Sequence, residues 1–126
     1  MAQLTQISPT TPNLPIPTPA AADITELTIL ILVGSGWIVL TLNITLKNLT
    51  QNLATAYAQI TKDGQVIPGS EINIRIANDS SVTLQHTIAI KPGAGQHTFT
   101  VQAFSPASGY TILGTMATLI VHELGY

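Results

Sequence analysis

The feature that most constrains the fold is an alternation of apolar and polar side chains that begins near residue 24. In residues 38–47, for example, every second side chain is Ile or Leu. Turn sequences such as Asp63-Gly64 and Pro68-Gly69 separate the alternating segments at intervals of about ten residues. No segment combines helical periodicity with capping residues. Short strands separated by regular turns predict an all-β protein, an antiparallel two-sheet sandwich of about eight strands.

Scarce charge limits the partners of this 126-residue chain. It has four Lys and Arg residues, six Asp and Glu residues and a formal net charge of −2. Four scattered cations do not form a groove for phosphate backbones, so we expect no nucleic-acid partner. The chain contains no cysteine, which excludes disulfides and thiolate chemistry.

The apolar stretch 27–42 is shorter than the roughly 20 residues that a membrane-spanning helix needs. It is rich in β-branched residues and is interrupted by Gly34-Ser35-Gly36. These features favour two strands around a turn, and we expect no membrane partner.

The N-terminus differs from the rest of the chain in its proline content. Five of the eight prolines lie between Pro9 and Pro19. Proline lacks an N–H and biases the preceding residue toward extended geometry, so residues 1–22 are predicted to form an extended arm before a β-domain at 23–126. The candidate binding residues of the arm are Leu4, Ile7, Pro9, Pro12, Leu14, Pro15, Ile16 and Pro17.

The composition of the arm favours a segment that lies across a partner, because its side chains carry no charge before Asp23. A solvated linker is the alternative. If the arm binds a partner, the β-domain should fold without residues 1–22 but bind that partner poorly.

Candidate chemistry is sparse. His86, His97 and His122 each lie in a predicted strand, and none has a second histidine within four positions. Local spacing for a metal site is therefore missing. Gly34-Ser35-Gly36 lacks the spacing of a hydrolase nucleophile. We expect no catalytic residue, no metal and no cofactor.

Several apolar side chains fall on faces that are otherwise polar. The candidate interface residues are Trp37, Val39, Tyr57, Phe104, Leu124 and Tyr126. Aromatic side chains bury large areas at low entropic cost, so these residues are predicted to form contacts between copies of the chain. A sheet covered by a loop or by the arm is the alternative.

The C-terminal half resembles a known group of proteins. Residues 93–103 and 117–124, together with 60–64 and 68–70, are similar to segments of small phage structural proteins. Those proteins have jelly-roll domains like those of the tumour-necrosis-factor and complement superfamily. The resemblance spans roughly residues 37–126. It implies a jelly-roll sandwich that forms a homotrimer about a threefold axis.

Two roles follow from this resemblance. The first is a trimeric cement, or decoration, protein that binds the outer surface of a phage capsid and stabilises contacts between major capsid subunits. The alternative is the trimeric head of a tail fibre, which binds a receptor or carbohydrate through loops such as 48–53 or 105–110. An arm joined to a small domain favours the cement protein. An enzyme is not expected.

Overall fold

The computed structural model describes residues 4–8, 14–16, 22–49, 53–105 and 112–124. These residues form ten β-strands in two antiparallel sheets. The strands are β1 (Leu4–Ile7), β2 (Leu14–Pro15), β3 (Ala22–Val33), β4 (Ile38–Asn48), β5 (Ala54–Lys62), β6 (Gln65–Val66), β7 (Ile72–Ile76), β8 (Ser81–Ile90), β9 (Gly95–Phe104) and β10 (Ile112–Glu123). Across these ranges, no helix has the length and apolarity needed to cross a membrane.

The two sheets form a jelly-roll sandwich. Sheet A has the order β1-β10-β4-β8, and β2 also pairs with β10. Sheet B has the order β3-β9-β5-β6, and β7 also pairs with β5. The all-β, two-sheet class is therefore confirmed. The apolar stretch 27–42 divides as predicted, because β3 ends at Val33 in one sheet and β4 begins at Ile38 in the other.

Alternating side chains build the core between the sheets. On β4, the side chains of Ile38, Leu40, Leu42, Ile44 and Leu46 are all buried. Sheet B contributes the other side of the core with the buried side chains Ile29, Ile31, Val33, Ala54, Ala56, Ala58, Ile60, Phe99, Val101 and Ala103. A two-residue period thus buries one face of each strand and leaves the other for contacts.

The predicted Asp63-Gly64 turn is a tight hairpin between β5 and β6. Lys62 pairs with Gln65, and the two residues between them have positive φ angles of 52° and 87°. Asp tolerates this conformation and glycine adopts it without steric cost. The turn fixes where Lys62 and Asp63 lie at the end of sheet B.

The alternation of the sequence predicts two separate C-terminal runs, 110–113 and 115–124, on either side of Gly114, and the structure differs from this prediction. Residues 112–123 form one strand, β10, whose pairing with β4 is irregular between Thr115 and Thr118. Gly114 lies in its first half, where an added Cβ would be 2.7 Å from Ile44 Cδ1. The glycine that suggested a break is explained by close packing within a continuous strand.

Two pieces of the N-terminal arm belong to sheet A. Strand β1 pairs with β10 from Leu4 opposite His122 to Ile7 opposite Leu119. Strand β2 pairs with Leu113 and Gly114 of the same strand. The arm is extended in these pieces, as its prolines predict, but it lies along its own chain. Pairing with β10 satisfies the backbone groups of these pieces, which a free arm would leave to solvent.

The sandwich has two ends that carry different loops. At the Trp37 end, β3 finishes, β4 starts, and the segments 62–68 and 91–94 turn back. At the Asn48 end, β4 and β9 finish and β10 starts. Asn48 is fully buried there and its Nδ2 donates to Ile76 O at 3.0 Å. The candidate surfaces below are located by these two ends.

Candidate interaction surfaces

Exposed apolar side chains cluster at the Trp37 end of sheet A. Trp37 directly precedes β4 and Leu124 directly follows β10, and Leu124 N donates to Trp37 O at 3.0 Å. Val39 lies beside them, paired with His122 and half-buried. Trp37 is 51% exposed and Leu124 is 43% exposed. We call Trp37, Val39 and Leu124 the Trp37 patch.

A buried carboxylate fixes the backbone beneath this patch. Glu123 is nearly buried, and its Oε2 accepts a hydrogen bond from Gly34 N at 3.0 Å. The bond joins the end of β10 to the loop that carries Trp37. The patch is therefore presented by backbone that is tied at both of its sides, which lowers the entropy lost when a partner covers it.

Tyr57 and Phe104 lie elsewhere, on sheet B. They are paired across β5 and β9, and their rings stack with centroids 4.9 Å apart and planes 14° from parallel. Both side chains are half-buried. The structure therefore divides the predicted interface residues between two sheets, and Tyr126 lies outside the described residues.

The arm residues have separate environments. Leu4 is 64% exposed on β1, and its partner His122 also pairs with Val39 of the Trp37 patch. Ile7 is half-buried against the core. Ile16 is only 6% exposed. It was expected to contact a partner but belongs to the core of its own chain. Packing beside β10 removes the isoleucine side chain from water, which an exposed position on the arm would not do.

The remaining arm residues are known only by their backbone or not at all. Leu14 and Pro15 form β2 and pair with Gly114 and Leu113. The candidate residues Pro9, Pro12 and Pro17 lie outside the described residues. Whether the arm contacts a capsid stays a prediction.

Sequence reasoning missed two exposed leucines on β3. Leu30 and Leu32 face outward, and Leu32 is 67% exposed, whereas Ile29, Ile31 and Val33 between and beside them are buried. The whole segment is apolar, so its sequence does not tell the inner face from the outer one. The scarcity of polar residues in this segment was the available indication. One face of a strand at the edge of a sheet meets solvent, so such a strand exposes apolar side chains when it has few polar ones.

A hydrogen-bonded contact between Asp63 and His97 lies at the Trp37 end of sheet B. His97 Nδ1 is 2.7 Å from Asp63 Oδ2, and Thr98 N donates to Asp63 Oδ1 at 2.8 Å. These two hydrogen bonds lower the pKa of the Asp63 carboxyl below its usual value, and the bond with His97 has the larger effect. The second ring nitrogen, Nε2, is 2.9 Å from Gly93 O.

The other histidines do not assemble into a site. His86 Nε2 is 3.1 Å from Gly69 O, and His122 is exposed on β10. Throughout the described ranges, no group of three or more His, Asp or Glu side chains is arranged to hold a metal ion.

An open pocket of about 310 Å³ lies at the Trp37 end, between the segments 62–68 and 90–92. The fibre-head alternative assigns a ligand to the loops 48–53 and 105–110, of which the described residues 48, 49, 53 and 105 lie at the Asn48 end. Residues 50–52 and 106–110 of those loops are outside the described residues, so that alternative stays a prediction.

The comparisons with known proteins identify the fold. No protein-family model matches the chain, and no curated protein matches its sequence. Similar solved structures include the infectious bursal disease virus Gx strain, at a TM-score of 0.63 and 12% identity. That match covers 99% of this chain and 34% of the other, so the chain spans about a third of the length of the viral chain.

Two further structures share the arrangement of strands. The VP2 subviral particle of infectious bursal disease virus matches at a TM-score of 0.57 and 11% identity, covering 97% of this chain and 33% of the other. Eiger TNF from S. frugiperda matches at a TM-score of 0.53 and 13% identity, covering 97% and 85%. At these identities the likeness establishes the jelly-roll fold. The jelly roll that the sequence resemblance implied is thereby confirmed.

Proposed function

We propose that this protein is a structural protein of a virus particle, a homotrimeric cement protein on the outer surface of a phage capsid. The observation that carries this proposal is the Trp37 patch. It combines an exposed tryptophan and leucine with a fixed backbone at one end of sheet A. The proposal assigns the chain no catalytic residue, metal, cofactor, nucleic acid or membrane.

The Trp37 patch supports contact between copies of the chain. Tryptophan and aliphatic side chains at the centre of an interface contribute most of its binding energy when they leave water. Glu123 lies beneath the patch, and its Oε2 accepts a hydrogen bond from Gly34 N. A second copy that covers Trp37 and Leu124 leaves this hydrogen bond in place, so the carboxylate keeps its donor when the interface forms.

The arm supports contact with the major capsid protein. Strand β1 borders the Trp37 patch and presents Leu4 to solvent, so a capsid contact through the arm lies beside a trimer contact. Once one arm of a trimer is bound, the other two bind at a high effective concentration, so the trimer binds much more tightly than a single arm. Weak single contacts then hold neighbouring capsid subunits together.

The fold supports placing the chain in a virus particle. The same jelly-roll arrangement occurs in the structures of the infectious bursal disease virus particles. A small sandwich domain suits a role in which the work is mechanical. The scarcity of charged residues, 8% of the chain, agrees with surfaces that are covered in an assembly.

Co-sedimentation with phage capsids stripped of the protein tests this proposal. Wild-type protein should pellet with the capsids and restore their resistance to heat, whereas Leu4→Ser should bind at least tenfold more weakly. Leu32→Ser is the matched control, because it also removes an exposed leucine. Equal binding by wild type and Leu4→Ser, or no binding by wild type, would contradict the proposal.

A further inference from the structure

The pocket at the Trp37 end concentrates the positive charge of the chain. Lys62 and Lys91, two of the four cationic residues, both line it. No acidic side chain lies among its described lining residues. Lys47 and Arg75 lie toward the Asn48 end instead. A small surface with two positive charges and no negative charge attracts an anion.

The rest of the pocket wall is apolar. Val66 is exposed on the two-residue strand β6, and Pro68, Ile90 and Pro92 also line the pocket. The volume of about 310 Å³ is at the lower limit for small-molecule sites. Two lysines in the lining of an otherwise largely apolar pocket fit a small ligand that combines a negative charge with a carbon skeleton.

The carboxylate nearest to Lys62 in the chain, that of Asp63, is already hydrogen-bonded to other groups. Asp63 follows Lys62 in the chain, but its two oxygens are bonded to His97 Nδ1 and Thr98 N. Within the described residues, neither pocket lysine lies within ion-pair distance of a carboxylate. Their charges therefore remain available to a ligand.

The same imidazole joins the two segments that carry the lysines. His97 bonds Asp63 in the β5–β6 turn through Nδ1 and Gly93 in the β8–β9 loop through Nε2. Lys62 and Lys91 are each within two residues of these anchor points. The separation of the two sides of the pocket is thus held by one side chain.

From these contacts we propose that the pocket binds a small organic carboxylate. The carboxylate lies between Lys62 and Lys91, and the carbon skeleton rests on Val66 and Pro92. Charge-assisted hydrogen bonds to the two ammonium groups supply most of the affinity. His97 acts as a positioning residue, because it holds both loops and occupies the competing carboxylate of Asp63. This site is independent of the cement role.

Amide NMR titrations of the full chain with glucuronate and with N-acetylglutamate test this site. Saturable shifts of the amide signals of residues 62–67, 90, 91 and 93 are expected with at least one of the two probes. The tighter probe identifies the source of the carboxylate, an acidic sugar or an acidic peptide side chain. Glucose is the neutral control and inorganic phosphate is the anion control.

Substitutions of single lysines test which positive charges bind the carboxylate. Lys62→Gln and Lys91→Gln should each weaken binding about tenfold, as expected for the loss of one charge-assisted contact. Lys47→Gln should bind like wild type. No saturable shift with either carboxylate, equal binding of phosphate at the same residues, or unchanged affinity in both pocket variants would overturn the proposal.

A double variant tests the positioning role of His97. His97→Gln should weaken binding, because the released Asp63 carboxylate competes with the ligand for Lys62. Adding Asp63→Asn to that variant should restore a large part of the affinity. A purely structural role for His97 predicts no such recovery, and that result would contradict its assignment.

Discussion

Trp37 and Tyr57 are both aromatic residues on otherwise polar strand faces, yet their surroundings differ in the folded chain. Tyr57 stacks on Phe104 of the neighbouring strand and is half-buried by its own sheet. Trp37 contacts backbone of its own chain through its carbonyl oxygen, while its side chain stays 51% exposed. An outward aromatic residue therefore indicates an interface only when no cross-strand partner already covers it.

The largest expected effect is on association through the Trp37 patch. Trp37→Ser combined with Leu124→Ser should weaken self-association by about a thousandfold, since buried interface anchors contribute about 2 kcal/mol each. The free energy of unfolding of the single chain should change little, because both side chains are exposed. Analytical ultracentrifugation measures the first quantity and chemical denaturation measures the second. Loss of folding in this variant would show that the patch belongs to the core, and it would contradict the difference drawn between Trp37 and Tyr57.

A second effect concerns the arm, whose strand β1 borders the Trp37 patch. Ile16→Ala should lower the free energy of unfolding by about 2–4 kcal/mol, because it removes a buried side chain beside β10. Urea denaturation measures the loss, and Leu4→Ala is the control because Leu4 is exposed. Equal free energies of unfolding for the Ile16 variant and wild type would show that the arm does not stabilise the domain.

These two effects separate what the sequence predicts from what it leaves open. The two-residue alternation predicts β4, β5 and β7 and their buried faces, because each strand has one wet side. It does not orient β3, whose residues 29–33 are apolar on both faces. It does not pair Tyr57 with Phe104 either, since that contact depends on the register between strands far apart in the chain.

The arm shows the same limit in another form. Its prolines predict extended backbone, and β1 and β2 are extended. Proline spacing does not specify which surface an extended segment covers. Here β10 offers an open edge, and Ile16 finds a buried position beside Gly114. Tertiary packing decides this placement.

The stacked pair should give a smaller effect that is confined to stability. Tyr57→Ala and Phe104→Ala should couple in a double-mutant cycle by about 0.5–1.5 kcal/mol of unfolding free energy. Neither substitution should change the mass of the assembly. If Phe104→Ala dissociated the trimer, Phe104 would belong to the same interface as Trp37, as the sequence predicted.

Acidification should give the smallest effect, and it tests the contribution of the Asp63-Gly64 turn at the Trp37 end to stability. The pKa of Asp63 is lowered from its ordinary value of 3.8, so its contacts stabilise the fold above that pH. This contribution is lost as the pH falls through the lowered pKa. Wild type should be more stable than Asp63→Asn at pH 5, and the difference should shrink below pH 3.8. A constant difference down to pH 2 would exclude the Asp63–His97 contact as its cause.

The central claim is that copies of this chain associate as trimers through the Trp37 patch. Sedimentation equilibrium of the purified wild-type protein at micromolar concentration tests it most directly. We predict a mass of three 13.3 kDa chains for wild type and for Leu32→Ser, and of one chain for Trp37→Ser combined with Leu124→Ser. A single-chain mass for wild type, or an intact trimer in the double variant, would contradict the account.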